Sequence, residues 1–485
     1  MLAGVVDPLV CQPGSALTPD RRFLQAERSR IAHTGQLFPG KSKEKRTMKI
    51  YTRYGTISPF QGGETGLQQL RRDVERLCEQ AIPLRISITR MQQDAWDCEI
   101  ECLEGVRAES ASAFPSLFSF RKRRFERTNA FNAMLLVPTG IDCAIGGHAG
   151  DATPVARLLS SVCDHLLLHP NVVNASDINE QTENCLYIEG SLLCRLLMGA
   201  IALRKVRSNR ILVVAEKREK GRLALDLVTN TANAACATLG IHCCGVVALR
   251  ETVSMLMSSS PAGRAVGEVE QMEGLLALLQ RERAHYDAVA LSTHILSTLE
   301  QHFELSKNYY LNDTPNPWGG IEAALTHTIS SVYNVPSAHA PMLEDGALSE
   351  MYGPVDPRKA AEVISSSFLF CVLKGLQRAP SVVLHPDGVF DPAVLGVEDI
   401  SCLVVPDGCV GLPTLAALLQ GIVVIAVREN TNCMRNDLQA LPFAPGQLWI
   451  VDSYLEAAGL LCALKIGLQP RALARPLAAA PALEF

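Results

Sequence analysis

The stretch VVPDGCVGLPTLAALLQGIVVIAV, residues 404–427, decides the fold. The apolar run up to Pro406 reads as a strand, DGCVG as a glycine-containing turn, LPTLAALLQ as a helix with proline in its first turn, and IVVIAV as a second strand. Neither strand has a polar face, so each is covered on both sides. Strand, helix and strand in succession then predict a parallel pair.

The same rhythm extends outward in both directions. Over residues 131–252 the strand-like runs AMLLV, HLLLH, RILVVAE and IHCCGVVAL alternate with the helical patterns TPVARLLSSVC, EGSLLCRLLMGAIALRK and ALDLVTNTANAACATLG. A further helix over residues 268–283 leads to the strand YDAVALST. Beyond a helix near residues 359–377 come SVVLH, SCLVVP, IVVIAV and LWIV. The expected fold class is α/β and Rossmann-like, with mostly parallel sheets covered by helices over residues 130–465, as one large unit or as neighbouring halves of about 130–300 and 301–465. Ahead of it, residues 48–108 read as a small α+β unit, and 109–129 as a linker whose basic run RKRRFER is a solvated face. Residues 1–47 read as a disordered or targeting extension and 466–485 as a tail.

Composition excludes several function classes. The 485 residues carry 45 Lys and Arg against 50 Asp and Glu, a formal charge of −5, which leaves no basic excess for a nucleic-acid backbone. No apolar run reaches the roughly 18 to 20 residues of a membrane span, so no membrane partner is expected. The 16 cysteines are scattered through apolar segments without a CxxC pair. They read as buried free thiols of a reducing compartment and the protein as not secreted.

In parallel sheets of this kind ligands sit beyond the carboxyl ends of the strands. The loop VPTGIDCAIGGHAGDATP, residues 137–154, is longer than the usual strand-to-helix connection of roughly 2 to 6 residues and ends in a helix start at Thr153 and Pro154. Gly146, Gly147 and Gly150 would let backbone N–H groups cradle an anion, with His148 and Asp151 beside them. The next strand ends in HPNVVNASDINEQTEN, where His169, Asn171, Asn174 and Asp177 could read a polar ligand. Trp318, Gly319, Gly320 and Glu322 stand at the helix start in NPWGGIEAALTH, Asp407 and Gly408 at the turn of the opening stretch, and Arg428 and Asn430 at the end of its last strand. The expected function is an enzyme for a small, polar, anionic metabolite, with His148, His169, Asp151 and Glu322 as catalytic candidates. The alternative is a non-catalytic metabolite sensor or assembly factor using the same cleft. No motif names a cofactor or a metal, and nothing in the sequence fixes an oligomeric state.

As a set, VPTGIDCAIGGHAGDATPVARLL, LLHPNVVNASDIN, NPWGGIEAALTH, VPSAHAPM and GLPTLAALLQGIVVIAVREN resemble the uncharacterised family known as domain of unknown function 3326, found in cyanobacteria and photosynthetic eukaryotes. The likeness spans residues 131–451, roughly two thirds of the chain. It implies a cyanobacterial cytoplasmic or plastid stromal setting, implies no activity, and leaves residues 1–47 outside the shared region. A chain beginning at Met48 is therefore expected to melt within a degree or two of the full chain by circular dichroism; loss of the cooperative transition would refute this.

Overall fold

A computed structural model describes residues 47–106, 114–217, 222–295, 307–312, 314–342, 353–364, 367–384, 391–477 and 479–480. All but the last residue of the extension expected over 1–47 lies outside them. Strands β1 (Lys49–Ile57), β2 (Ile82–Met91) and β3 (Trp96–Glu104) come first, with helix α1 (Gly63–Cys78) between the first two. Next are β4 (Asn132–Leu135), α2 (Thr153–Ser160), β5 (His165–Leu168), β6 (Cys185–Tyr187) and α3 (Gly190–Leu197). The middle of the chain supplies β7 (Ile201–Arg204), β8 (Arg210–Glu216), α4 (Arg222–Leu239), β9 (His242–Leu249), β10 (Ser254–Ser259), β11 (Ala265–Glu270), α5 (Glu273–Arg281), β12 (Ala288–Thr293), α6 (Gly319–Tyr333) and β13 (Ser337–Pro341). The last third holds α7 (Leu369–Gln377), β14 (Ser381–Leu384), β15 (Val394–Leu395), β16 (Ile400–Pro406), β17 (Val410–Gly411), α8 (Leu412–Gln420), β18 (Val423–Val427), β19 (Leu448–Val451) and α9 (Tyr454–Lys465).

The fold is a mixture of α and β, with two parallel sheets and a substantial antiparallel one. The order β19-β18-β16-β4-β5-β6 is parallel throughout, and so is β13-β12-β8-β9. Every residue of β16 is buried, as its unbroken apolar run requires. The antiparallel sheet has the order β10-β11-β1-β3-β2-β17, and a small one is β14-β7-β15.

This topology corrects the expected organisation. The first parallel sheet combines strands from residues 132–187 with strands from 400–451, and the second uses 210–341, so the two halves are interleaved rather than sequential. The small N-terminal α+β unit does not stand apart either, because β10, β11 and β17 complete its sheet; residues from Glu44 onward form one compact unit. The predicted helix EGSLLCRLLMGAIALRK is α3 followed by β7. Gly199 breaks it with φ +69, where a β-carbon would overlap the Arg121 carbonyl. Most of the helix expected over 268–283 is shorter than foreseen, because β11 extends to Glu270 and pairs with β10 and β1. The helix near 359–377 divides into a single turn, Ala360–Val363, and α7.

The basic run is not a solvated linker. Arg123 donates from Nε to the Gln420 carbonyl at 2.9 Å, from Nη2 to Gly421 at 2.8 Å and from Nη1 to Ile400 at 2.8 Å. Arg121 pairs with Glu398 at 2.6 Å and Arg127 with Asp399 at 3.0 Å. Arg123 takes up the carbonyls at the C-terminus of α8, which favours positive charge, and ties them to the start of β16, while Arg121 and Arg127 hold the carboxylates just ahead of that strand. The fifteen cysteines among the described residues are free thiols, and no helix among those residues is long and apolar enough to cross a membrane.

Removing Arg123 strands three backbone carbonyls at once. Arg123→Ala is expected to lower unfolding free energy by about 2–4 kcal/mol, while exposed Arg124→Ala changes it by less than about 0.5 kcal/mol. Paired denaturant titrations check the contrast, and equal effects would contradict it.

Candidate functional site

The glycine-rich loop after β4 does form a cradle, but the protein's own carboxylates fill it. Gly146 and His148 donate backbone N–H groups to Asp151 Oδ1 at 2.9 and 3.3 Å, and Ala149 donates to Glu362 Oε1 at 2.7 Å. A β-carbon at Gly147 would overlap the Cys143 carbonyl, and one at Gly150 would overlap Ala175. Two asparagines staple the loop from outside. Asn171 donates to the Gly146 carbonyl at 2.6 Å, and buried Asn430 exchanges bonds with both backbone groups of Ile145, at 2.9 and 2.8 Å. The expectation that Gly146, Gly147 and Gly150 hold a ligand's anion is therefore corrected: their contacts are internal, and Asn430 is structural.

The open space lies alongside. A cavity of about 310 Å³ is bounded by the segments following β4, β5, β6 and β16, by β2 of the antiparallel sheet, and by the first turns of α6. Pro138, His169, Glu189 and Cys409 mark the four strand ends, in the position expected for parallel sheets. Asn171, Asn174, Trp318, Gly319 and Glu322 also line it. The structure thus brings together the loops after β4 and β5, the start of α6 and the turn after β16.

Other candidates lie elsewhere. Arg428 is on the exterior, paired with Asp452 at 2.8 Å. Asp177 is exposed. Asp407 and Gly408 are engaged by Asn432 and Asn436, through the Asp407 carbonyl at 2.7 Å and the Gly408 carbonyl at 2.8 Å. Gly320 allows α6 to approach the Ala265 carbonyl, which a β-carbon would overlap. These positions serve packing and turn geometry.

The cavity wall is strongly ionic. Arg264 and Glu99, each only 2% exposed, pair at 2.7 Å, and Arg85 pairs with Glu101. His327 Nε2 meets Glu189 Oε1 at 3.1 Å, and His339 Nδ1 meets Glu322 Oε1 at 2.9 Å. Glu189 also caps α3, accepting from the N–H groups of Ser191 and Leu192. Arg195 differs from the other two arginines. It is 8% exposed, its Nη2 donates to the Asn334 amide oxygen at 2.9 Å, and its Nε and Nη1 have no protein acceptor.

A second chain of bonds runs behind the cavity. His148 Nδ1 lies 2.9 Å from the Tyr309 hydroxyl, which donates to Glu362 Oε1 at 2.8 Å. Burial pushes the Glu362 carboxyl up to about 7 and Asp151 up to about 6, against backbone donors that favour their charged forms. Burial drives His169 the other way, down to about 4. Its Nε2 accepts the Val137 N–H at 3.1 Å, so that nitrogen is engaged by the backbone while the ring borders the cavity. Among the described residues no group of three or more His, Cys, Asp or Glu side chains is placed to hold a metal ion.

Sequence reading missed Glu189, Arg195, His327, His339 and Glu362. One signal was present: Glu189 precedes α3 and Arg195 lies within it, among buried and mostly apolar residues where an arginine needs a reason. Glu362 carried none, because its partners Ala149 and Tyr309 are 213 and 53 residues away.

The chain belongs to the protein family of unknown function DUF3326, whose family model matches residues 132–474. It is similar to an uncharacterised lipoprotein of a Synechococcus strain, with 33% identity over 347 residues, which is 71% of this chain and 93% of that protein. No solved structure matches. The expectation of a cytoplasmic or stromal protein is overturned by this kinship, because a lipoprotein carries lipid and its relatives cannot be assigned to a soluble interior by default.

The raised carboxyl of Glu362 sets a pH dependence. The folded protein holds this proton up to about pH 7, the unfolded chain only to the ordinary value of 4.5, so the group's contribution to stability is present at low pH and is lost as pH rises between the two. Glu362→Gln keeps an oxygen acceptor without a charge. Parent stability minus variant stability is expected to fall by about 3 kcal/mol between pH 4 and pH 8; denaturant titrations giving a constant difference would contradict the burial argument.

Proposed function

We propose that this member of DUF3326 is an enzyme that binds a small anionic metabolite in the cavity beside the carboxyl ends of β4, β5, β6 and β16, with Arg195 as the anchor. The observation that carries this reading is the guanidinium of Arg195, buried against the cavity with two donors unmet and no carboxylate paired to it. A buried cation in that state costs several kcal/mol, and a ligand carboxylate or phosphate offsets the cost. The volume suits a small metabolite. The site therefore selects anions by charge, through a side chain rather than through the glycine loop.

Acid and base chemistry is supported by the pair of carboxyl groups on the same wall. Glu362 retains a proton near neutrality, whereas Glu322 is matched to His339. Two carboxyl groups in unlike environments supply a donor and an acceptor within one cavity. His148 reaches this wall through Tyr309. A Rossmann-like relationship of the parallel sheets is part of the proposal, supported by the position of the cavity at the strand ends. One observation favours a second reading, a binding protein without turnover: the Synechococcus relative is a lipoprotein, and lipid-tethered proteins that capture solutes need no catalysis. Chemical change in a bound metabolite separates the two.

The experiment is a melting screen of parent and Arg195→Met against carboxylated and phosphorylated metabolites. A ligand at 100 times its dissociation constant is expected to stabilise the parent by about 2.7 kcal/mol. Arg195→Met is expected to lose that stabilisation while its ligand-free midpoint stays level or rises, because an unpaired buried charge has been replaced by an apolar side chain. Ligand shifts that survive the substitution would remove Arg195 as the anchor.

A further inference from the structure

Resting on the reading of the cavity as an anion site, the arrangement around Glu322 identifies the group that would act on the bound molecule. Glu322 lies in the first turn of α6 and lines the cavity, with 23% of its side chain open. Its Oε1 is occupied by His339 Nδ1 at 2.9 Å, and among the described residues no hydrogen bond to Oε2 is formed. Behind it, His339 Nε2 lies 2.8 Å from the hydroxyl of fully buried Thr293. That hydroxyl's other neighbour is the Met255 sulfur at 3.2 Å, a weak acceptor. The threonine proton therefore goes to Nε2, the imidazole proton sits on Nδ1, and the imidazole presents N–H to Glu322. The carboxylate is held with one oxygen engaged, on a side chain that borders the cavity.

Three neighbouring elements of the chain build this relay: Thr293 ends β12, Glu322 lies in the first turn of α6 and His339 lies in β13. Registration of β12 against β13 places Leu291 opposite His339 and Thr293 opposite Pro341, so the histidine and threonine meet diagonally across adjacent strands. A pairing that only neutralised a buried charge would have no need of a carboxylate side chain bordering the cavity. Glu362 and Cys371 are the other titratable groups that respond to the Glu322 charge.

We propose that Glu322 is the catalytic base of this cavity, acting on a small carboxylic acid that carries an acidic C–H next to a carbonyl or carboxyl carbon, with His339 and Thr293 as positioning residues. In the step, the ligand C–H bond breaks and its proton bonds to Glu322 Oε2. The electron pair remains on the ligand as an enolate or carbanion equivalent, and the Arg195 guanidinium that binds the carboxylate lowers its energy. No oxidant or reductant is required. Return of the proton, or of a solvent-exchanged deuteron, from Glu322 to the carbanion completes the cycle.

The test uses the full chain with pyruvate, 2-oxoglutarate and malate in D₂O, following deuterium entry at carbon by proton NMR and binding by calorimetry. The expected result is Arg195-dependent binding of at least one acid and exchange faster than in buffer. Glu322→Gln is expected to reduce exchange at least 100-fold with binding retained. Thr293→Val is expected to reduce the turnover number roughly 3- to 10-fold at unchanged KM, and Thr293→Ser to restore it, which a purely packing role for Thr293 would not produce. Arg195-dependent binding without exchange above the buffer rate overturns the assignment of the base, as does exchange undiminished in Glu322→Gln. If none of the acids binds through Arg195, the anion-site reading falls first and this assignment with it.

Discussion

The pairing of β4 with β16 is the contact on which the rest of the molecule depends. Asn132 to Leu135 lie parallel to Ile400 to Val404, and the Asn132 side chain donates to the Asp399 carbonyl at 2.9 Å. Joining segments so far apart in sequence carries a large loop-closure cost, though one that grows only slowly with length. The return is a central pair of strands, buried on both faces, onto which β5, β6, β18 and β19 can add. Because strands four and sixteen are neighbours, the loops that leave their carboxyl ends are neighbours too. The cavity is a product of that adjacency.

Electrostatics then distinguish the cavity from an ordinary interior gap. Arg264 with Glu99 and Arg85 with Glu101 are pairs whose charges largely cancel, and such buried pairs contribute little net stability. Arg195 is not cancelled in this way. Its neighbour Glu189 is already committed to His327 and to the start of α3. The Arg195 guanidinium thus borders a low-dielectric space, where a charge acts over a longer range than at the surface.

Much of the framework was legible because strands buried on both faces have to be apolar. Runs such as SCLVVP and IVVIAV announced β16 and β18, and the start of α2 was visible in the proline of its first turn, although Thr153 is the first helical residue and makes no cap. Failures cluster where a local pattern was overruled by distant contacts. Leu196 to Arg204 has helical composition throughout, but Gly199 and the Arg121 backbone behind it turn the chain into β7. The basic run looked solvated because the carbonyls it serves, on Ile400, Gln420 and Gly421, lie nearly three hundred residues away. The site was legible as a place and not as a chemistry. Strand-end loops located it, yet Arg195 and Glu362 are defined by partners that no spacing rule connects.

The internal ligation of the loop after β4 has an entropic side. A glycine-rich segment that waits for its ligand loses conformational freedom at the moment of binding, and that loss subtracts from affinity. Here the loss has already been taken during folding, because Asp151 and Glu362 occupy the N–H groups that a flexible loop would have kept in reserve. The wall of the cavity is rigid before anything enters it. On the reading of the cavity as a binding site, association would be governed by passage into a space already formed, with little ordering left to do.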